Sequence, residues 1–277
     1  MTESTENQEQ LSTGWESDTP ISDTWHRRSA FVLGSEMRDH VGALGGKAIE
    51  HPDMLGGVID RPAAIVNGVT LLQPLDPKTL NESMNMMARE LELDQPATGP
   101  VFVFSPVLTP DLTSFGWTLM GHPPAMMRPA GAPDFTDPAG IDIRRVETVD
   151  QLLEWERVSI DGFPIDFMQP VQERSLVADS MLDDPHFGHW LAFDGDQVVG
   201  AASASIHHDT NYVSFVATVP EARSRGVGTA LTFRAALLDP ELPALLFSTD
   251  EGRPVYERMG FMSLMRYTLW YRNRSTA

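Results

Sequence analysis

The sequence predicts a mixed α/β fold in which helices flank a mostly antiparallel β-sheet. Three observations support this prediction. Short apolar runs rich in β-branched residues alternate with longer runs of helix formers. A linker rich in Pro, Gly and Asp at residues 131–140 divides the 277-residue chain. A glycine-rich turn after residue 219 joins a predicted strand to a predicted helix.

The elements after the linker follow from local patterns. Residues 141–146 alternate between apolar and polar side chains, as a strand does, and Thr148 is placed to cap a helix over residues 149–161. A turn at residues 194–196 predicts a hairpin between two strands. The further predicted elements are, in order, a helix at 171–182, strands at 189–194, 198–207 and 212–219, a helix at 229–238, a strand at 245–249, a helix at 255–259 and a long strand at 261–271.

The turn after the strand at 212–219 has the features of an anion site. Pro220 ends the strand because proline has no N–H to donate. Gly226 and Gly228 leave the backbone uncovered where the next helix begins, and N–H groups at a helix N-terminus bind anions such as pyrophosphate. Arg223 and Arg225 add positive charge. The alternative is a plain strand-to-helix turn whose glycines only permit tight packing. The spacing matches neither the dinucleotide fingerprint nor the P-loop.

A second motif, Tyr-x-x-x-Gly-Phe, follows this turn in the sequence. The two motifs together resemble the GNAT superfamily of acyl-CoA-dependent N-acetyltransferases, most clearly over residues 141–272. The predicted order of elements after the linker, β-α-α-β-β-β-α-β-α-β, is also the order in that superfamily. The residues that carry the resemblance are Val219, Pro220, Arg223, Gly226, Gly228, Tyr256, Gly260 and Phe261.

The resemblance implies a sheet that splays near Val219 and admits acetyl-CoA as co-substrate. The pyrophosphate would lie on the N–H groups of residues 225–230, and the pantetheine arm would pair with the backbone of residues 217–219. A backbone N–H there would face the thioester oxygen, in an oxyanion-hole role. The implied cofactor-binding residues are Ala217, Thr218, Val219, Arg223, Ser224, Arg225, Gly226, Val227, Gly228, Thr229, Ala230, Ser248 and Thr249.

The resemblance makes Tyr256 the candidate general acid, because its spacing to Gly260-Phe261 matches the superfamily's tyrosine. A phenol with a pKa near 10 is protonated at neutral pH and can donate to the leaving thiolate. The alternative is a core tyrosine on a short helix, and Ser248 and Thr249 have the alternative role of strand-end hydroxyls. The general base stays open, and a water chain is as acceptable as a side chain. The candidate bases are Asp161, Asp166, His207, His208, Asp250 and Glu251.

The absence of cysteine narrows the chemistry. Without a thiol, the chain can form neither an acetyl-cysteine intermediate nor a cysteine-ligated zinc site. We therefore expect direct transfer to an amine acceptor in a ternary complex, with no metal. Two other functions stay open: a non-catalytic regulatory protein that binds an acyl-CoA, and a transferase that uses a longer acyl-CoA.

The first half of the chain contains a weak repeat of motifs from the second half. The strand at residues 101–105 and the pair Gly116-Trp117 match the strand near residue 245 and the pair Gly260-Phe261 at an offset of about 143 residues. The first copy lacks the phosphate turn, and Leu112 replaces the tyrosine, so one cofactor is expected. The predicted domains are a disordered tail at 1–24, a degenerate GNAT-like domain at 25–130, the linker at 131–140 and a catalytic domain at 141–277.

Composition sets further limits. Asp and Glu outnumber Lys and Arg by 39 to 20, for a net charge of −19. This excess argues against nonspecific nucleic-acid binding, since that needs a cationic surface. It is compatible with attraction of a cationic amine, although acidic surfaces more often serve solubility. The sequence contains no run of about 18 apolar residues, so it predicts no membrane span. The polar N-terminus has no apolar segment, so we expect no secretory signal. We expect a cytoplasmic monomer or homodimer.

Overall fold

The computed structural model describes residues 24–62, 66–133, 135–163 and 168–274. Within these residues, helices flank two mostly antiparallel sheets, which confirms the predicted fold class. The helices are α1 (Trp25–Ala43), α2 (Leu80–Glu90), α3 (Val149–Gly162), α4 (Val227–Ala236) and α5 (Arg253–Arg258). The strands are β1 (Lys47–His51), β2 (Met54–Val58), β3 (Gly68–Leu71), β4 (Pro100–Ser105), β5 (Thr118–Gly121), β6 (Pro124–Arg128), β7 (Ile141–Arg145), β8 (Phe187–Asp194), β9 (Gln197–His207), β10 (Thr210–Thr218), β11 (Ala244–Phe247), β12 (Met262–Arg266) and β13 (Thr268–Asn273).

The two sheets have corresponding strand orders. The first sheet has the order β1-β2-β3-β4-β13-β5, and the second has the order β12-β6-β11-β10-β9-β8-β7. In each sheet one parallel pair, β3 with β4 or β10 with β11, follows an antiparallel hairpin. Apart from the additional strand β7, this is the arrangement expected of two copies of one fold. All but one residue of the predicted disordered tail lies outside the described residues, and Thr24 caps α1 through its side chain.

The two halves exchange one strand each. The predicted long strand at 261–271 breaks at Tyr267, whose N–H donates to the carbonyl of Pro123 at 3.0 Å. β12 therefore stays in the second sheet, while β13 enters the first sheet between β4 and β5. In return β6, from the first half, lies between β11 and β12. The sheets thus do not follow the predicted boundaries at residues 130 and 141.

The predicted helix at 171–182 is wrong, apart from one short 3₁₀ turn at Asp179–Leu182. The carboxylate of Glu156, on α3, accepts hydrogen bonds from the backbone N–H groups of Arg174 at 2.7 Å and Leu176 at 2.6 Å. These donors are thereby withdrawn from helix formation, and Arg174 has a left-handed φ of 65°. A buried carboxylate from another element thus decides the path of this segment.

Helices cover both faces of the second sheet. On one face α4 contributes Leu231 and Phe233 to a buried cluster with Val213 of β10. On the other face α3 contributes Trp155, whose ring centroid lies 5.5 Å from that of Phe215. β10 therefore runs between two buried layers, and a bulge at residues 214–217 places Phe215 on the opposite face from Val213. Among the described residues, no helix is both long and apolar enough to cross a lipid bilayer.

Candidate active site

β10 separates from β11 halfway along its length. The two strands pair only from Asn211 with Ala244 to Val213 with Leu246, although β10 continues to Thr218. A bulge follows at once, between residues 214 and 217, where Phe215 has a φ of 50°. Because the bulge turns the strand out of register, the sheet opens several residues before Val219. The sequence predicted the opening near Val219 itself. The opening leaves the side of β10 that faces β11 without a strand partner over these residues.

The glycine turn at the end of β10 forms an uncapped helix N-terminus. Gly226 is the N-cap of α4 and has a φ of 81°, which an L side chain rarely adopts. The first intrahelical bond joins the Ala230 N–H to the Gly226 carbonyl, so the N–H groups of the preceding residues lack helical acceptors. Within the described chain no side chain caps this helix start. The turn therefore has the free donors that an anion site needs.

Gly228, in the first turn of α4, has no packing reason to be glycine. A Cβ added there would meet only the Thr218 Oγ1, at 3.5 Å, which is an ordinary contact. Alanine is the better helix former, by up to about 1 kcal/mol in a helix interior. A bare backbone at such a position is expected where a ligand must approach closely.

The two arginines of the turn have different partners. Arg223 donates from Nε to the Thr218 carbonyl at 3.2 Å and from Nη2 to the Gly162 carbonyl at 3.3 Å. It thereby ties the turn to β10 and to the end of α3. Arg225 donates to Asp194 at 2.6 Å, and this hydrogen bond raises the pKa of Arg225. The position of Arg225 beside the exposed turn leaves it accessible to an anion as well.

The backbone at the end of β10 is partly occupied. The Val219 N–H donates to the Val199 carbonyl of β9 at 3.0 Å, so it points away from the opening. The Thr218 carbonyl accepts from Arg223. Gly162 lets α3 pack closely here, because a Cβ at that position would lie 2.8 Å from the Cβ of Ala217. The Val219 N–H is therefore bonded to β9 and does not face the predicted pantetheine arm.

Tyr256 links the two sequence motifs. It lies on α5, is partly buried, and packs against Phe261 with ring centroids 5.9 Å apart. Burial raises the pKa of Tyr256, while a hydrogen bond with the Thr232 side chain acts in the opposite direction. Thr232 in turn donates to the Gly228 carbonyl at 2.7 Å. The tyrosine hydroxyl is thus placed against the helix that begins at the glycine turn, and it stays protonated at neutral pH. Sequence analysis missed Thr232, although its spacing of four from Gly228 puts both on one helix face.

Ser248 and Thr249 make local hydrogen bonds. The Ser248 hydroxyl donates to the Thr249 carbonyl at 2.5 Å, and the Thr249 Oγ1 accepts from the Gly252 N–H at 3.0 Å. These bonds shape the turn between β11 and α5. This geometry agrees with the alternative role of strand-end hydroxyls, and a contact of either side chain with the cofactor stays a prediction.

Two of the candidate bases, His207 and His208, lie far from the opening. His207 is the last residue of β9 and His208 follows it, and because β9 and β10 are antiparallel, that end is opposite to the glycine turn. His207 is buried, with its Nε2 3.2 Å from Glu36 of α1. Burial alone raises the pKa of Glu36, but hydrogen bonds from His207 and His40 outweigh it and hold the pKa below its ordinary value. This cluster anchors α1 to the second sheet.

The carboxylate candidates have mixed positions. Asp161 is exposed and accepts from Arg157 at 3.1 Å, as a surface ion pair does. Asp250 is paired with Arg266, and Glu251 is exposed beside it. Asp166 lies outside the described residues. Asp250 therefore stands out, since it belongs to the same turn as Ser248 and precedes Tyr256.

Part of the second half of the chain matches a known family model. Residues 185–263 match the family model described as an acetyltransferase (GNAT) domain. This stretch runs from β8 to β12 and contains the opening of the sheet, the glycine turn and Tyr256. Over residues 185–263 the chain therefore matches the GNAT family, and the recognised resemblance is confirmed. Comparison with curated proteins gives no match.

Solved structures share the fold over both halves. A GCN5-related N-acetyltransferase from Kribbella flavida is 18% identical with a TM-score of 0.57, and the match covers 88% of this chain and 95% of that one. A functionally unknown conserved protein from Staphylococcus epidermidis is 14% identical with a TM-score of 0.61, covering 83% and 95%. A GCN5-related N-acetyltransferase from Sphaerobacter thermophilus is 17% identical with a TM-score of 0.53, covering 90% and 94%. The two-sheet arrangement is thus a fold that these proteins have in common with this chain.

Proposed function

We propose that this protein is an N-acetyltransferase that moves an acetyl group from acetyl-CoA directly to an amine. The uncapped N-terminus of α4 beside the open edge of β10 carries this proposal. It offers free N–H donors, a bare backbone at Gly228 and a nearby arginine, Arg225, which together suit a pyrophosphate. The GNAT family model spans the same residues. The opening between β10 and β11 leads away from this turn and suits an extended pantetheine arm.

The residues support a transfer without a covalent enzyme intermediate. The acceptor ammonium first loses a proton to water, since no side chain of the site is assigned as its base. The neutral nitrogen then attacks the thioester carbonyl carbon and forms the new C–N bond. The C–S bond breaks, the thiolate takes the proton of the Tyr256 hydroxyl, and the excess proton on nitrogen leaves to solvent. Tyr256 regains its proton from water, so the net products are the amide, CoA thiol and one proton.

Calorimetry with acetyl-CoA tests the cofactor, and release of free CoA in the presence of amines tests the reaction. We expect binding at micromolar protein and amine-dependent CoA release. Absence of acetyl-CoA binding removes the proposal. Binding without CoA release across an amine panel favours the regulatory acyl-CoA-binding alternative. Tighter binding and faster release with a longer acyl-CoA favours the other alternative.

A further inference from the structure

A second feature of the site is a cleft built by both halves of the chain. It has a volume of ≈ 660 Å³. Val107, Leu108 and His122 line it from the first half, and Asp250 and Arg266 line it from the second half. The exchanged strands bring these residues together, because β6 begins beside the end of β11 and β12 ends beside the start of β6.

The strand register places this cleft next to the opening of the sheet. The last pair between β10 and β11 joins Val213 to Leu246, so the residues after Phe247 lie across from the bulge of β10. The Ser248 N–H donates to the Pro124 carbonyl at 3.0 Å, which fixes the start of the turn at 248–252.

The same turn is packed against the candidate general acid. A Cβ added at Gly252 would lie 3.4 Å from both the Ser248 Oγ and the Tyr256 ring. The turn thus has Tyr256 on its inner side and presents Asp250 to the cleft.

The charges in the cleft favour one class of ligand. Arg266 donates from Nη2 to one carboxylate oxygen of Asp250 at 2.5 Å, from Nη1 to the other at 3.2 Å, and from Nη1 also to the His122 carbonyl at 2.7 Å. The hydrogen bond with Arg266 lowers the pKa of Asp250, so its carboxylate is ionised at neutral pH. Both terminal nitrogens of Arg266 already donate to Asp250 and to the His122 carbonyl, whereas each Asp250 oxygen accepts only one of these bonds and keeps a free lone pair. The Asp250 side chain is 66% exposed and can still accept from a cation.

The wall supplied by the first half is apolar. Leu108 is 90% exposed, in a segment that also brings Val107 to the cleft. A single exposed leucine is ordinary on a protein surface. Here Leu108 borders the ionised carboxylate of Asp250, which lies just after β11, the strand that faces the opening. The chain as a whole has a net charge of −19. That an acceptor amine binds at this place rests on the proposed function.

We infer that this cleft receives the acceptor, and that the acceptor is a primary amine on an apolar group without a carboxylate. The ammonium lies against Asp250 and the apolar group lies against Val107 and Leu108. This assigns the N-terminal half a role in substrate recognition.

Steady-state kinetics with phenethylamine and with phenylalanine test the assignment. The two amines share a skeleton and differ by the carboxylate, so we expect a KM at least about tenfold lower for phenethylamine. Leu108→Ser removes a side chain that contacts almost no protein, so the fold is unaffected, and we expect the KM for phenethylamine to rise about fivefold. Asp250→Asn raises this KM about tenfold. Leu119→Ser changes another exposed leucine of the same half, 44% exposed and outside the cleft, and leaves KM unchanged. All variants keep the acetyl-CoA affinity of the wild type.

The outcomes separate the two levels of the proposal. Failure of the wild type to bind acetyl-CoA overturns the proposed function itself. Normal acetyl-CoA binding with equal KM values for the two amines, or with turnover of neither, overturns the substrate class. A Leu108→Ser variant that matches Leu119→Ser overturns the location. A fall in kcat with unchanged KM in Asp250→Asn assigns Asp250 to proton removal and overturns its role in binding the amine.

Discussion

Gly228→Ala is expected to stabilise the free protein and to weaken acetyl-CoA binding at the same time. The added Cβ meets only Thr218 Oγ1 at 3.5 Å, so it needs no rearrangement. Replacement of a glycine in the first turn of α4 gains up to about 1 kcal/mol of helix propensity. For a chain of this size that corresponds to a rise in Tm of about 2–4 °C. The same methyl group occupies the space through which a pyrophosphate reaches the backbone, so we expect acetyl-CoA affinity to fall at least tenfold, which is about 1.4 kcal/mol.

Gly42→Ala is the matched control for this experiment. Gly42 also lies in a helix, α1, and a Cβ there would meet no atom within 4 Å. We expect a similar gain in Tm with no change in acetyl-CoA affinity. Thermal unfolding and isothermal calorimetry on the two variants measure both quantities. An acetyl-CoA affinity in Gly228→Ala equal to that of Gly42→Ala would refute the assignment of the turn as the phosphate site. A lower Tm for Gly228→Ala would show that the glycine serves packing after all.

Three further variants or treatments test other parts of the structure. Tyr256→Phe should lower kcat at least a hundredfold while the calorimetric acetyl-CoA affinity stays within twofold, and equal turnover would reject its acid role. His189 is buried beside Trp155, and burial lowers its pKa to about 3, so the unfolded chain takes up a proton below pH 6.5 that the folded chain refuses. Stability should therefore fall by about 2 kcal/mol between pH 7.5 and pH 5 on account of this residue, and urea titrations should show a correspondingly smaller fall for His189→Phe. Identical pH dependences would mean that His189 is not a buried neutral histidine. Cleavage within the linker at 131–140 should leave the two halves associated in gel filtration, because each sheet contains a strand of the other half. Separation into two monomeric fragments would contradict the exchange.

Local sequence patterns predicted several elements of the second half because those elements carry local signals. β8, β9 and β10 lie within two residues of their predicted bounds, since each is an apolar run bounded by turn residues. The glycine turn was found because its residue types follow from backbone chemistry, and Tyr256 because its spacing to Gly260-Phe261 matches the tyrosine of the GNAT superfamily. Even so, spacing alone did not show that Thr232 connects them, as that contact depends on how α5 packs against α4.

Features set by distant partners were missed. Sequence analysis predicted no element between residues 25 and 77, although α1 begins there. The buried face of α1 includes Glu36 and His40, so the apolar periodicity of an amphipathic helix is interrupted. These polar groups are satisfied by each other and by residues far along the chain, such as His207. The strand exchange was missed for the same reason, since the local sequence of a strand does not specify which strand it pairs with in the sheet.

The two halves share a strand order, yet the structure predicts only one acetyl-CoA per chain. In the first sheet β3 pairs with β4 over three positions, as β10 does with β11. Unlike β10, however, β3 ends one residue after the last pair, at Leu71, and the next N–H, of Leu72, donates back to the Asp53 carbonyl at 2.8 Å. The matching place in this half therefore has no separated strand edge, and α2 begins without a glycine turn, after Thr79. Calorimetry of the intact chain should give a stoichiometry of one, and Gly228→Ala should reduce that one binding event. A stoichiometry of two, with one event unaffected by Gly228→Ala, would mean that the first half also binds the cofactor.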